Sequence, residues 1–449
     1  MNKEKKLALS GAEGIVPKLR FPEFESDGEW KEKRLDEVAE IVTGSTPKTS
    51  ETENYGGSKL FVSPADISNK RYIDSTIKTL TGLGLSKSRI IPENCVLFVC
   101  IGSTIGKIAQ NKIECATNQQ INSLIPFGDN NNNFIYSLLE NNSRYIASLS
   151  AQQAVPLINK SEFSAIKLHF PKNPKEQQKI ANCLSSLDEV ITAENEKLDL
   201  LKDHKKGLLQ QLFPNSLNHD SKRLKDDLDF QNSKKSSHQA NPKNQGADNV
   251  PRFRFPEFKN DGDWEAKLIK EACNKPFSGG TPKSNNSNYY GGDIPFIRSA
   301  EINKETTELF LTEEGFQNSS AKMVKRGDVL IAMYGANSGD VAISKIDGAI
   351  NQAILCLRSR THNPFLFQYL IFKKDFINNT YLQGGQGNLS GDIIKSIELL
   401  FPQNPREQER IANCLSAADE LIEAQAQKIT QLQEHKKGLL QQLFPTIND

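Results

Sequence analysis

The residues best placed for chemistry are two glycines and a lysine in "GSTIGK" at residues 102–107. Gly102, Gly106 and Lys107 suggest a loop around a phosphate. A phosphate-binding loop requires G-x-x-x-x-G-K-[ST], so that backbone N–H groups surround the phosphates and a hydroxyl reaches magnesium. Here the first-glycine position holds Ile101, and Ile108 follows the lysine. A corresponding stretch, "YGANSGD" at 334–340, carries Asp340 where Lys107 stands. The spacing fits a glycine-rich hairpin turn instead.

"NPKE" at 173–176 and "NPRE" at 404–407 have the Asn-Pro opening of an amino-methyltransferase motif. That motif needs an aromatic residue two places after the proline to stack a flipped base. Glu176 and Glu407 stand there, so both read as helix starts: proline suits the first turn, and a carboxylate suits its positive end. His204 and His435 lie in lysine-bearing helix ends, where cationic side chains interact favourably with the helix C-terminus. Seven cysteines form no C-x-x-C pair and the six histidines do not cluster with them, which argues for reduced thiols in a cytosol and against zinc or a disulfide frame. Cys183 and Cys414 occupy matching places and read as small buried residues. No glycine-rich cofactor loop follows a strand, and no carboxylate and lysine cluster resembles a nuclease. We assign no catalytic residue and no metal site to this chain.

What must position the remaining polar residues is a duplicated scaffold. "HKKGLLQQLFP" occurs at 204–214 and again, letter for letter, at 435–445. "RFPEF" at 20–24 recurs at 254–258, and each copy is followed by a tryptophan, Trp30 and Trp264. "ATNQQI" at 116–121 answers "AINQAI" at 349–354, and "FPKNPKEQQKIANCLSSLDEVI" at 170–191 answers "FPQNPREQERIANCLSAADELI" at 401–422. Internal repetition on this scale means two copies of one structural unit. A chain of 449 residues exceeds one core in any case. We place the first block at 17–170, a helix at 171–214, a polar linker at 215–250, the second block at 251–401 and a second helix at 402–445. The fold class is α+β, with two mixed blocks in tandem, each followed by a long helix.

In the first helix Ile180, Leu184, Leu187, Ile191, Leu198, Leu201, Leu208 and Leu212 keep 3–4 spacing. Ile411, Leu415, Ala418, Ile422, Ile429, Leu432, Leu439 and Leu443 match them in the second. Such a repeat is a coiled-coil seam that needs another helix to bury it, and the other copy is the obvious partner. Glu194 and Gln425 interrupt the seams at equivalent places, as do Lys205 and Lys436. Polar seam residues cost stability and fix register. At about 1.5 Å per residue, roughly 38 residues make a rod near 57 Å long, and Pro214 and Pro445 stop it.

Within the blocks, "LFVSPADI" and "IPFIRSAEI" read as matched strands running into a turn. "CVLFVCIGSTIGKIAQ" and "DVLIAMYGANSGDVAIS" read as strand pairs joined by glycine-rich turns. "FIYSLLENNSRYIASL" and "PFLFQYLIFKKDFINNTYL" read as helices. The copies differ far more here than in the long helices: two different readers on a common spacer. The longest apolar run, "CVLFVCIG", is too short for a membrane span, and "MNKEKKLALSGAEG" reads as no secretion signal. The expected location is the cytoplasm. A net charge of +1 means that any nucleic-acid surface is local or shared with a partner.

This tandem of block and helix resembles the specificity subunit of type I restriction-modification systems. The resemblance rests on "TGSTPKTSETENYGGSKLFVSPADI" at 43–67, "SGGTPKSNNSNYYGGDIPFIRSAEI" at 278–302, the "GQGNLSGDIIKSIELLFPQNPREQERIA" run beginning at Gly385, and the helices from 187 and 418. The first copy departs at 151–163, where "AQQAVPLINKSEF" lacks the glycine-rich pattern. The resemblance implies two target recognition domains, each reading half of a bipartite, asymmetric DNA site. Their helices pack antiparallel, and the chain recruits two modification subunits that bind S-adenosylmethionine and methylate adenine. Restriction subunits using ATP and magnesium would join that core. Two such blocks would meet duplex DNA about one turn apart, roughly 34 Å.

Base-reading side chains are polar groups on loops able to enter a groove. The candidates are Ser45, Thr46 and Lys48 in "GSTPK" with Thr281 and Lys283 in "GGTPK", then Ser63 and Arg298 after the matched strands. Ser103, Thr104 and Lys107 lie in the first hairpin turn, with Asn337 and Ser338 in the second, and Gln386 and Asn388 complete the second block. Asn118, Gln119, Asn351 and Gln352 read as internal loop braces. The competing functions are a coiled-coil scaffold or protein-binding module, and an enzyme with a dispersed active site.

Overall fold

The computed structural model describes residues 15–68, 70–150, 156–214, 249–381 and 389–445. The chain forms two compact units, one running to Lys197 and resuming at Gln425, the other spanning Leu198–Ala424. The long helices are Pro174–Leu212 and Pro405–Leu443, so each unit holds one block and a part of both helices. The expected division into blocks and separate spacer helices therefore differs from the packing, because the helix ends are core elements of the blocks.

Both helices begin as their sequences predict. Asn173 Oδ1 accepts from the Lys175 N–H, and Asn404 Oδ1 from the Arg406 N–H, each at 3.0 Å, which caps donors left free in the first turn. Glu176 does more than favour the helix dipole. It is fully buried, Arg20 grips both its oxygens at 2.8 and 2.7 Å, and Trp30 Nε1 donates at 3.2 Å. Arg254 and Trp264 hold Glu407 in the same way in the second unit. The "RFPEF" repeat is thus a clasp on the helix start, and a buried carboxylate requires such partners.

Among the described residues, the block of the first unit contains three sheets. Lys31–Arg34 pairs with Lys167–Phe170; a five-stranded sheet runs Ala39–Thr43, Ile121–Pro126, Val96–Val99, Ile108–Asn111, Tyr72–Ile73; and a four-stranded sheet runs Lys78–Leu80, Tyr55–Val62, Cys115–Thr117, Ile90–Ile91. The helix Asn132–Ser148 covers the five-stranded sheet and buries Phe134, Leu138 and Ile146. Ile180 and Leu184 of the first long helix, and Leu440, Leu443 and Phe444 at the end of the second, enter the same core. Glu194 meets Gln425 and Lys428, and Asp188 meets Lys436. Rising numbers on one helix face falling numbers on the other, so the pair is antiparallel.

The second unit repeats this plan. Glu265–Leu268 pairs with Glu398–Phe401, and two four-stranded sheets follow: Phe277–Ser278, Ile354–Leu357, Val329–Ala332, Val341–Ile343; and Leu309–Leu311, Tyr290–Ile297, Gly348–Ile350, Lys322–Val324. The helix Asn363–Tyr381 packs beside them. Leu209, Leu212 and Phe213 of the first long helix join Ile411 and Leu415 of the second in one core, and Lys205 pairs with Asp419. Phe213 stacks on Tyr369 with ring centroids 4.4 Å apart. The "LFP" ending of the duplicated run is a plug for a block core.

All sixteen seam residues are shielded. Ile180, Leu184, Leu212, Ile411, Leu415, Ile429 and Leu443 are buried and the rest half-buried. At the helix ends the buried residues are Leu209 and Leu440 while Leu208 and Leu439 are half-buried, because there the helices face a block as well as each other. Cys183 and Cys414 are half-buried rather than buried.

Candidate nucleic-acid interface

In the first block, four loops meet at one edge. Gly44 passes so close to the 117–118 backbone that a Cβ would lie 2.2 Å from the Asn118 carbonyl oxygen, so only glycine fits. The Gly44 N–H donates to the Ile121 carbonyl at 3.0 Å and the Ser45 N–H to that of Thr117 at 2.9 Å. Thr46 Oγ1 donates to Gln119 Oε1 at 2.7 Å. The glycine-rich turn joins through Gln120, whose carbonyl accepts from the Cys100 N–H at 2.8 Å and whose side chain donates to the Ile101 carbonyl at 3.3 Å. Lys107 ties on the 63–67 turn by donating to the Ile67 carbonyl at 2.9 Å.

The second block assembles the corresponding edge. A Cβ on Gly279 would lie 1.8 Å from the Ile350 carbonyl oxygen. Thr281 Oγ1 donates to Gln352 Oε1 at 2.6 Å, repeating the Thr46–Gln119 latch. The Met333 N–H donates to the Ala353 carbonyl at 2.7 Å, and the Leu389 N–H to the Met333 carbonyl at 2.9 Å. The 102–106 and 335–339 turns both use left-handed glycines, at φ 91° for Gly106 and 85° for Gly339, which suits a hairpin turn.

The candidates fall into two groups. Lys48, Ser103 and Lys283 are exposed, with Ser45, Thr104 and Asn337 partly so, and Thr46 and Thr281 present exposed loops latched from beneath. Four others also hold local partners. Ser63 donates its N–H and hydroxyl to Asp66 at 2.8 and 2.6 Å. Lys107 caps carbonyls. Ser338 donates to the Met333 carbonyl at 2.9 Å. Arg298 is held by Glu301 at 3.1 Å and Glu308 at 2.5 Å. Burial pushes the Glu301 carboxyl up, but Arg298 and the Glu308 N–H outweigh it and hold it down at about 2. Gln386 and Asn388 lie outside the described residues.

The loop braces behave as their sequence suggests. Asn118 exchanges hydrogen bonds with Gln120, and Asn351 Oδ1 accepts from the Ala353 N–H. Gln119 and Gln352 are nonetheless exposed, so each latch also presents an amide at the edge. Arg89 was not legible from any motif. It donates to the Thr43 carbonyl at 2.6 Å, and its N–H donates to Ser45 Oγ at 3.1 Å, which sets an exposed guanidinium beside "GSTPK". Ile90 pairs with Ala116 as Met323 pairs with Ala349, so Lys322 stands where Arg89 does, its ammonium 5.6 Å from the Phe277 ring. One further charge divides the blocks: Asp340 is paired with Lys374 at 2.7 Å where the first block has Lys107.

Burial pushes the Cys95 thiol up to about 11 and those of Cys100, Cys115 and Cys273 up to about 12, so these four are protonated at neutral pH and are poor nucleophiles. Among the described residues no group of three or more His, Cys, Asp or Glu side chains is arranged to hold a metal ion, and no helix is long and apolar enough to cross a membrane.

Two blocks, each offering polar loops at the strand ends of two sheets and each packed on part of both long helices, define a duplicated recognition protein. The family described as "Type I restriction modification DNA specificity domain" matches residues 27–203 and again 261–434, and the chain belongs to that family. It is 23% identical over 441 residues to the type I restriction enzyme MjaVIII specificity subunit of Methanocaldococcus jannaschii, covering 95% of this chain and 93% of that one. It is 31% identical over 147 residues to the HindI specificity subunit of Haemophilus influenzae, 32% of each chain. The fold is similar to that of the type I restriction-modification S subunit from M. genitalium, with TM-score 0.59 and 15% identity, covering 97% of this chain and all of that one.

Proposed function

We propose that this chain chooses the DNA sequence for a type I restriction-modification complex, each block reading one half of an asymmetric, two-part target. The observation that carries this reading is the pair of matched loop edges within a duplicated specificity domain. Both edges are built on the same Thr–Gln latch, yet the turn beside it bears Ser103, Thr104 and Lys107 in one block and Asn337, Ser338 and Asp340 in the other. Equivalent backbones with different side chains suit a protein that meets two sites alike in geometry and unlike in base sequence.

On this reading the paired helices set the gap between half-sites, and the chain contributes no catalytic group. Two modification subunits supply S-adenosylmethionine and methylate adenine. Restriction subunits supply ATP and magnesium, and the assembly works in the cytoplasm. Phosphate neutralisation is shared with those partners, which accommodates the net charge of +1. Among the described residues, Lys48, Arg89, Lys107, Lys283 and Lys322 are exposed cations that this chain brings to the two edges.

The test is long-read methylome sequencing of a methylation-free host that expresses this chain with its modification subunit. Methyladenine in a gapped, asymmetric motif is the expected result. An assembled complex that leaves no such mark contradicts the reading.

A further inference from the structure

The two long helices are so alike that their apolar seams give little reason to choose each other over a copy of themselves. Offset by 231, Ile180 answers Ile411, Leu184 answers Leu415, and Leu201 answers Leu432. The charged pairs share this symmetry, since Lys436–Asp188 and Lys205–Asp419 are images of each other. Either pair would form equally well between two identical helices.

Leu187 answers Ala418 and Leu198 answers Ile429, but these apolar exchanges put no residue opposite its own equivalent, and one polar position does. Glu194 and Gln425 are equivalent positions (194 + 231 = 425), and in the first unit they face one another. Gln425 Nε2 donates to Glu194 Oε2 at 2.6 Å and to the Glu194 backbone carbonyl at 2.9 Å, while Lys428 Nζ donates to Glu194 Oε1 at 2.5 Å. A residue that faces its own equivalent would, in a like pair, face itself.

We infer that the Glu194–Gln425 crossing selects the helix partner, favouring the unlike helix over a second copy of the same one. Two first helices would set carboxylate against carboxylate where an amide now donates, and like charges at that distance repel. Lys197, the image of Lys428, would still serve each carboxylate, but no amide donor would remain. Two second helices would set amide against amide and leave Lys428 without its carboxylate. Only the unlike pair satisfies amide, carboxylate and ammonium together, as a single polar seam position does in specifying coiled-coil partners. Unlike pairing keeps one of each block on every rod. That consequence for target asymmetry rests on the proposed function, whereas the pairing preference does not.

The test is thermal unfolding of the full chain. Gln425→Glu recreates the carboxylate pair and lowers the unfolding midpoint of the first unit by about 3–5 °C. Exchanging the two residues, Glu194→Gln with Gln425→Glu, restores the amide–carboxylate pair and brings the midpoint back to within about 1 °C of the starting protein. A Gln425→Glu chain as stable as the original overturns the inference. So does an exchange variant no more stable than Gln425→Glu alone.

Discussion

The two units answer the same helix residues with different block residues. In the first, Lys436 is held by Asp188 at 2.7 Å and by both oxygens of Glu140, and Arg71 reaches in to bind Asp188 at 2.8 Å with its guanidinium over the Tyr136 ring. In the second, Lys205 meets Asp419, whose other oxygen accepts from Gln368 at 2.7 Å. Glu140 corresponds to Ile371, and Gln368 to Ser137, at the same offset of 231. Where the helices meet the blocks they therefore carry a shared polar and apolar code, and each block solves the problem of covering it separately. Recognition blocks can diverge only if their helix-facing sides keep some answer to that code.

The strongest way to break the comparison is at its most symmetric point. Phe444→Ala and Phe213→Ala each remove a plug from a block core, at an expected cost of about 3–5 kcal/mol. Calorimetry of the full chain should show the two variants losing similar stability, each in a different unit; a large loss for one alone would contradict equivalent plugging. The lysines should separate the units. Lys436→Met strands Glu140 beside the well-buried Asp188 and is expected to cost about 2–3 kcal/mol. Lys205→Met frees Asp419, whose side chain is 41% exposed, and should cost under about 1 kcal/mol. Equal losses in chemical denaturation would show that the block residues add nothing. The latches act on binding rather than on folding. Thr46→Val and Thr281→Val delete one hydrogen bond each, worth about 1 kcal/mol, and should weaken DNA binding of the assembled complex roughly fivefold. Each should matter only for the half-site read by its own block, measured by titration against half-site-mutated duplexes.

Much of the scaffold was legible because it is written in periodicity and repetition. The seam from Ile180 to Leu212, the Asn-Pro helix starts and the glycine-rich hairpins all follow from local spacing. What the sequence concealed was long-range. Nothing near Arg20 announces that it grips Glu176, 156 residues away, although the paired recurrence of arginine, tryptophan and glutamate in both copies was an available signal. The shift of burial from Leu208 to Leu209 required knowing that a block core waits at the helix end. The candidate contacts were hardest, since serine, lysine and arginine in turns serve capping and recognition alike. Ser63, Lys107, Ser338 and Arg298 hold local partners, while Arg89, a plain loop arginine, came to the candidate edge through strand pairing.

The central claim is one block for one half-site. Its most direct measurement is the methylome of a host carrying the modification subunit and a chain whose second block, residues 251–401, is replaced by that of a family member with a different target. The account predicts that one half of the methylated motif changes while the other half and the gap stay fixed. A change in both halves would contradict it.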